Sequence, residues 1–151
     1  MYFIGIDPGV NGGIAVLRDG ENTVWGLSLK KWTEKDAYNF LEPCRGSASF
    51  ACIERITPMP GIMRGVVAAC KIGESYGLLR GFLVALEVSY ERVTAGKWQR
   101  AMGCLSHGDK NVTKQRAQEL FPAEKITHWL ADALLLAEYA RRLGAVRGGQ
   151  S

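Results

Sequence analysis

Three acidic side chains stand where folding alone would not require a charge. Asp7 follows the apolar run Tyr2–Ile6, Glu54 ends a second apolar run, and Asp132 interrupts the apolar segment 129–137. A carboxylate in such surroundings is costly unless it is solvated, paired or bound to a cation. One such acid is more often a hydrogen-bonded structural group, but three favour a shared site for Mg²⁺ or Mn²⁺. Two such ions about 4 Å apart can activate water and stabilise the departing oxygen of a phosphodiester.

His128 stands one helical turn before Asp132 and therefore shares its helix face. There it could ligate a metal, move a proton or position water, and a purely structural role fits the pattern equally well. The other histidine, His107, is predicted to be an ordinary exposed side chain. Glu138 falls on a different face from Asp132, so we expect it to meet solvent or pair with a base.

An alternation of strands and helices must position these acids. Turn residues at Pro8-Gly9 and Asp19-Gly20 predict hairpins between the first three strands. The predicted strands are Tyr2–Asp7, Gly13–Arg18, Asn22–Leu27, Ser49–Glu54 and Val88–Val93, and the predicted helices are Glu34–Leu41, Val66–Ala85, Ala95–Met102, Lys110–Leu120 and Ile126–Leu143. This order indicates one α/β domain with a mixed sheet over residues 1–145, followed by a flexible tail over 146–151.

The long helix predicted over 66–85 has a small residue at every fourth position, including Gly73, Gly77 and Gly81. Because each glycine destabilises a helix interior by up to about 1 kcal/mol, the repeat requires a compensating close approach. A tightly packed core helix is the favoured interpretation, and a seam against a second subunit is the alternative.

The composition is that of a globular protein. The chain has 151 residues, 47% of them hydrophobic and 23% charged, enough to bury a core. No apolar stretch is long enough to span a membrane and Asp7 interrupts any secretory signal, so a cytoplasmic location is expected. The four cysteines are far apart in sequence, which favours free thiols over zinc ligands or disulfides.

The net charge of +4 is compatible with a polyanionic partner. Basic residues outnumber acids between Arg92 and Lys125. This stretch is either a contact surface for nucleic acid or a solvated helical face.

Taken in order, several segments resemble the RuvC-type Holliday-junction resolvases of the RNase H-like nuclease superfamily, most of all their compact phage-type members. The matching segments are Gly5-Ile6-Asp7-Pro8-Gly9 with Gly13, Ile53-Glu54, Lys71 to Gly77, Gly108-Asp109-Lys110, and Ala131-Asp132-Ala133-Leu134. They extend over nearly the whole chain, and their order and spacing make the resemblance specific.

The resemblance implies an RNase H-like fold, with a mixed central sheet flanked by helices, in a bacterial or phage-infected cell. It implies a homodimeric, Mg²⁺-dependent endonuclease (Mn²⁺ substituting) that makes paired symmetric nicks in four-way DNA junctions. Asp7, Glu54 and Asp132 correspond to the family's metal-binding acids. The family usually has another ligand shortly before the last acid. Here Trp129, three residues before Asp132, cannot ligate a metal, and His128 is the substitute.

The resemblance also assigns basic residues to DNA. Lys110 matches the catalytic lysine that opens the penultimate helix, while Lys97 and Arg100 compete for a second basic position. The loop Pro58–Arg64 falls where the family inserts residues into the junction, and its apolar side chains either wedge between bases or pack under the loop. The resulting set of DNA contacts is Arg64, Lys97, Arg100, Lys110, Lys114 and Arg116.

Other functions have different requirements. A sugar-kinase or actin-like nucleotide binder also opens with an Asp-x-Gly turn, but it needs two such subdomains and a much longer chain. A junction-binding protein that has lost catalysis through Trp129, or a nuclease for other branched DNA, remains an alternative to the resolvase.

Overall fold

The computed structural model describes residues 1–21, 23–46, 48–56 and 65–148. Their five strands form one sheet in the order β3-β2-β1-β4-β5. The strands are β1 (Tyr2–Asp7), β2 (Gly13–Arg18), β3 (Val24–Ser28), β4 (Ser49–Glu54) and β5 (Ser89–Val93). The first three pair antiparallel, whereas β4 runs parallel to both β1 and β5. The sheet is therefore mixed, as the sequence predicts.

Five α-helices surround the sheet, and none in the described part of the chain is long and apolar enough to cross a membrane. They are α1 (Glu34–Leu41), α2 (Val66–Ala85), α3 (Ala95–Ala101), α4 (Lys110–Leu120) and α5 (His128–Gly148). The side chains of Thr33, Thr94 and Asp109 accept hydrogen bonds from backbone N–H groups at the starts of α1, α3 and α4. These caps fix where the three helices begin.

Most predicted boundaries are confirmed, and the largest difference is at α5. This helix extends to Gly148, beyond the predicted end at Leu143, and so includes part of the predicted tail. Glu138 bonds Arg141 and Arg142, one helical turn further along, at 2.6 and 3.1 Å. Such pairs stabilise the helix past the end of its apolar pattern. The predicted start of β3 at Asn22 lies outside the described residues.

Two apolar layers cover the two faces of the sheet. On one face α5 packs against side chains such as Phe3, Phe50 and Cys52, together with parts of α3 and α4. On the other face α1 and α2 pack against the alternate side chains, among them Ile4 and Ile53. This alternation follows from the two-residue period of a strand.

The outer surface of α2 contradicts the expected core helix. Gly73, Gly77 and Gly81 are all exposed, and a Cβ atom added at any of them would meet nothing within 4 Å. The helix also exposes 80% of Val66 and 70% of Val67. The ridge of small residues therefore faces away from the sheet.

The cysteines behave as the sequence predicts, because all four are free thiols. Cys44, Cys52 and Cys104 are buried, and Cys70 is exposed on α2.

Candidate active site

The parallel pairing of β1 and β4 places Asp7 and Glu54 side by side. Ile6 lies opposite Ile53 in the register, and the two acids follow directly at the carboxyl ends of their strands. Because side chains alternate along a strand, both acids belong to the sheet face that packs against α5.

Gly5 allows α5 to bring Asp132 to the same place. A Cβ atom on Gly5 would overlap the carbonyl oxygen of Ala133 and the backbone nitrogen of Ala137, so the helix backbone lies directly on β1. Asp132 precedes this contact by one residue and belongs to the same turn of the helix. Its charge acts on the pKa of both Asp7 and Glu54.

Burial raises the pKa of all three carboxyls, and repulsion from neighbouring acids adds to the shifts of Asp7 and Glu54. For Asp7 burial has the largest effect and Asp132 adds to it, while the Gly9 N–H, which donates to Oδ1 at 3.1 Å, opposes it. Burial and the charge of Asp7 raise the pKa of Glu54 to about 7. Burial also raises the pKa of Asp132. The shifts show three acids sharing one partly desolvated space.

Lys110 supplies positive charge to this acidic cluster. It is the first residue of α4, held there by the Asp109 cap. Its ammonium lowers the pKa of Asp7, Glu54 and Asp132, against the effect of burial on each. The structure thus brings together Lys110 and the three acids that the sequence singled out.

The donor set suits a hard cation. Oδ1 of Asp132 is buried and has no hydrogen-bond partner, which leaves a carboxylate oxygen to be satisfied by something other than the protein. Within the described residues, no three His, Cys, Asp or Glu side chains are close enough together to enclose one metal ion. Mg²⁺ does not require that arrangement, because it keeps several waters and binds one or two carboxylates together with substrate phosphates.

His128 and Trp129 open α5 and have different surroundings. His128 is exposed, and its charge lowers the pKa of Asp132. The ring of Trp129 lies over the Cα atoms of Gly13 and Gly26, where a Cβ atom would collide with it. Trp129 therefore packs against the β2–β3 hairpin. Its role is in packing and not in metal binding.

Trp98 is a site residue that sequence reasoning missed. Its indole Nε1–H donates to Oε2 of Glu54 at 2.7 Å, and its side chain is fully buried. Thr113 was missed as well: it is buried on α4 and its side chain lowers the pKa of Asp132. Neither residue carries a charge or belongs to a motif, so a single sequence offers no signal for them.

The remaining basic residues are differently placed. Lys97 pairs with Glu91 at 2.9 Å, on the surface of β5 and α3. Arg116 donates from Nε to the Met102 carbonyl at 2.8 Å, which ties α4 to the end of α3. Arg100 is exposed and Lys114 is half-buried, whereas Arg64 and the loop 57–64 lie outside the described residues.

The structure also shows the surroundings of His107 and Glu138, which the sequence analysis left out of the candidate site. His107 is exposed, as predicted, in a turn where its φ is 49°. Glu138 is only 5% exposed, so the expectation of a solvent-facing residue is wrong and that of a paired residue is confirmed.

The sheet order, the antiparallel hairpin followed by parallel strands, and the helix laid across the site define an RNase H-like fold. Two solved structures share it over 95% of this chain and 97% of theirs: Thermus thermophilus RuvC, at 19% identity and a TM-score of 0.63, and T. thermophilus RuvC in complex with Holliday junction substrate, at 17% identity and a TM-score of 0.65. No family model and no curated protein matches the chain.

The raised pKa of Glu54 predicts how stability depends on pH when divalent ions are removed by EDTA. Folding shifts this pKa from 4.5 to about 7, so the folded protein binds more protons than the unfolded chain between these values. Its contribution to stability is complete below pH 4.5 and is lost as pH rises through 7. In urea unfolding, the free energy of unfolding of Glu54→Gln minus that of wild type should increase by about 2 kcal/mol from pH 5 to pH 8. A constant difference between the two proteins would contradict the shift.

Proposed function

We propose that this protein is a Mg²⁺-dependent endonuclease that resolves four-way DNA junctions, working as a homodimer. The observation that carries the proposal is the meeting of Asp7, Glu54 and Asp132 beside Lys110, in a fold shared with a RuvC structure bound to a Holliday junction. Acids of this kind at the carboxyl ends of two neighbouring strands suit phosphodiester hydrolysis.

Asp7, Glu54 and Asp132, with His128, would hold two Mg²⁺ ions, and Mn²⁺ would substitute. Such ions would supply Lewis-acid activation of a water and stabilisation of the departing 3′-oxygen, so that in-line hydrolysis would leave a 5′-phosphate and a 3′-hydroxyl. His128 would ligate one ion at the exposed start of α5, where the proton of the attacking water can pass to solvent. Lys110 offsets the charge that develops on the phosphate oxygens. Arg100 and Lys114 contact the DNA backbone on either side.

Paired nicks in a junction require two copies of the site, and α2 offers the surface that joins them. The outward face of this helix is largely apolar, with Lys71 and Glu74 as its exposed charges, and its small residues allow another backbone to approach closely. An apolar helix surface of this kind is stabilised when a partner buries it. A second copy of α2 packed across Gly73, Gly77 and Gly81 would bury this face.

A charge placed on the ridge should separate the dimer. Gly77→Arg keeps the monomer fold, because the position is open to solvent, but it places an unpaired charge in the seam. Sedimentation should show the dimer dissociation constant rising roughly 100-fold, since burying that charge costs about 3 kcal/mol or more. Asn39→Arg, at an exposed position of α1, is the matched control and should leave the dimer intact. Unchanged association of Gly77→Arg would rule out this seam.

Cleavage of several DNA forms side by side tests the function itself. A synthetic four-way junction, a flap and a linear duplex are incubated with the protein in Mg²⁺, in Mn²⁺ and in EDTA. We expect paired nicks in the junction with either metal, none in EDTA, and little cutting of linear duplex. Efficient cutting of flaps would identify a nuclease of broader range. Binding of the junction without any cutting would identify the catalytically inactive junction binder.

A further inference from the structure

The hydrogen bond between Trp98 and Glu54 joins a fully buried side chain to the acidic cluster. At 2.7 Å it is at the short end for an N–H···O bond, as expected when the acceptor is a carboxylate. The indole N–H is the only polar group of tryptophan, and it can donate but not accept. The carboxylate of Glu54 therefore satisfies the buried N–H of Trp98, and the hydrogen bond fixes the orientation of that carboxylate.

The chain builds this contact from the order of its elements. Val93, the last residue of β5, lies opposite Glu54 in the register, and Thr94 then caps α3. Because the helix begins at once, its first turn folds back over the end of β4 and brings Trp98 against the carboxylate. The rest of the indole packs in the core beneath α5. A rigid core side chain thus holds an acid that stands at the edge of the site.

We infer that Trp98 is a positioning residue, which orients the Glu54 carboxylate for a divalent cation. The inference rests on the proposed function and adds to it a residue that does not touch the ion. Groups that orient metal ligands typically alter metal affinity 10- to 100-fold when they are removed. A tryptophan that only fills the core would change stability and leave metal affinity as it was.

Mn²⁺ binding without DNA tests the inference, measured by calorimetry at pH 8. Trp98→Phe keeps an aromatic ring and removes the N–H, and we expect about 10-fold weaker Mn²⁺ binding. Trp32→Phe is the matched control: Trp32 is half-buried on the opposite face of the sheet, and its loss should leave Mn²⁺ affinity unchanged. Wild-type affinity in Trp98→Phe would overturn the inference.

A second background separates positioning from general damage. If Trp98 acts through Glu54, adding Trp98→Phe to Glu54→Gln should weaken Mn²⁺ binding no further than Glu54→Gln alone. An equal loss in both backgrounds would overturn the inference while the metal site itself stands. Failure of wild-type protein to bind Mn²⁺ would instead overturn the proposed function, and the inference with it.

A measurement on the wild-type protein covers the case in which Trp98→Phe does not fold. Nitrogen-15 NMR resolves each indole N–H, and Mg²⁺ is diamagnetic. The Trp98 indole signal should shift as Mg²⁺ is added, with the same midpoint as metal binding, while the Trp32 signal stays in place. A Trp98 signal that does not respond to saturating Mg²⁺ would overturn the inference.

Discussion

Asp7→Asn is expected to abolish junction cleavage and to leave junction binding within a few-fold of wild type. The amide keeps the size of the carboxylate and can still accept the Gly9 N–H at Oδ1, so the turn after β1 is preserved. It removes the central charge of a site whose other acids, Glu54 and Asp132, are coupled to it. We expect cleavage to fall by roughly 10³-fold or more, because transition-state charge loses its stabilisation.

Cleavage of a labelled four-way junction in Mg²⁺ gives the rate, and an electrophoretic shift in EDTA gives binding. Asp19→Asn is the matched control, since it makes the same chemical change in the exposed turn between β2 and β3. An Asn-Gly pair suits that hairpin as well as Asp-Gly does, so the control should cut normally. A normal rate for Asp7→Asn would show that Asp7 is not part of the proposed metal site.

Among substitutions that add a single methyl group to the described structure, Gly5→Ala should be the most destabilising. The added Cβ would overlap backbone atoms of Ala133 and Ala137, and backbone cannot rotate away as a flexible side chain can. Either α5 moves off the sheet or β1 distorts, and both disrupt the core on that face. We expect unfolding to become easier by about 3 kcal/mol or more, seen as a lower urea midpoint.

Gly96→Ala is the matched control for this prediction. Gly96 lies in α3, and a Cβ atom there meets nothing within 4 Å. The substitution should leave stability unchanged or raise it by up to about 1 kcal/mol, because alanine favours a helix more than glycine does. If Gly5→Ala were as stable as this control, the close backbone contact between α5 and β1 would be contradicted.

Much of the fold could be predicted because local signals agree with tertiary structure. Apolar runs ending in turn residues fixed β1, β2 and β4 to the residue, and the Thr33 cap fixed the start of α1. The acids were visible for the opposite reason: each breaks an apolar pattern. A charge that contradicts its surroundings is conspicuous in a sequence even when its partners are remote.

The sequence could not predict which way a helix face points or which side chains touch in the folded protein. The small residues of α2 predicted that another backbone packs closely against this helix. Their periodicity does not show whether the ridge faces the sheet or solvent. Trp98 fits an apolar pattern, so nothing distinguished its N–H from that of any core tryptophan. Trp129 drew notice as a departure from a family pattern, whereas its packing on Gly13 and Gly26 depends on strand pairing.

The position of α5 in the chain has a consequence for biosynthesis. All five strands precede it, and two further helices separate it from β5, yet it covers the greater part of one sheet face. While the polypeptide emerges from the ribosome, that face stays bare until α5 is made, and bare apolar sheet is prone to aggregate. The same delay means that a nascent chain lacks Asp132 when its other two acids are already in place. If the protein has the proposed activity, a partly synthesised chain could not cut DNA before the segment that carries Asp132 has been made.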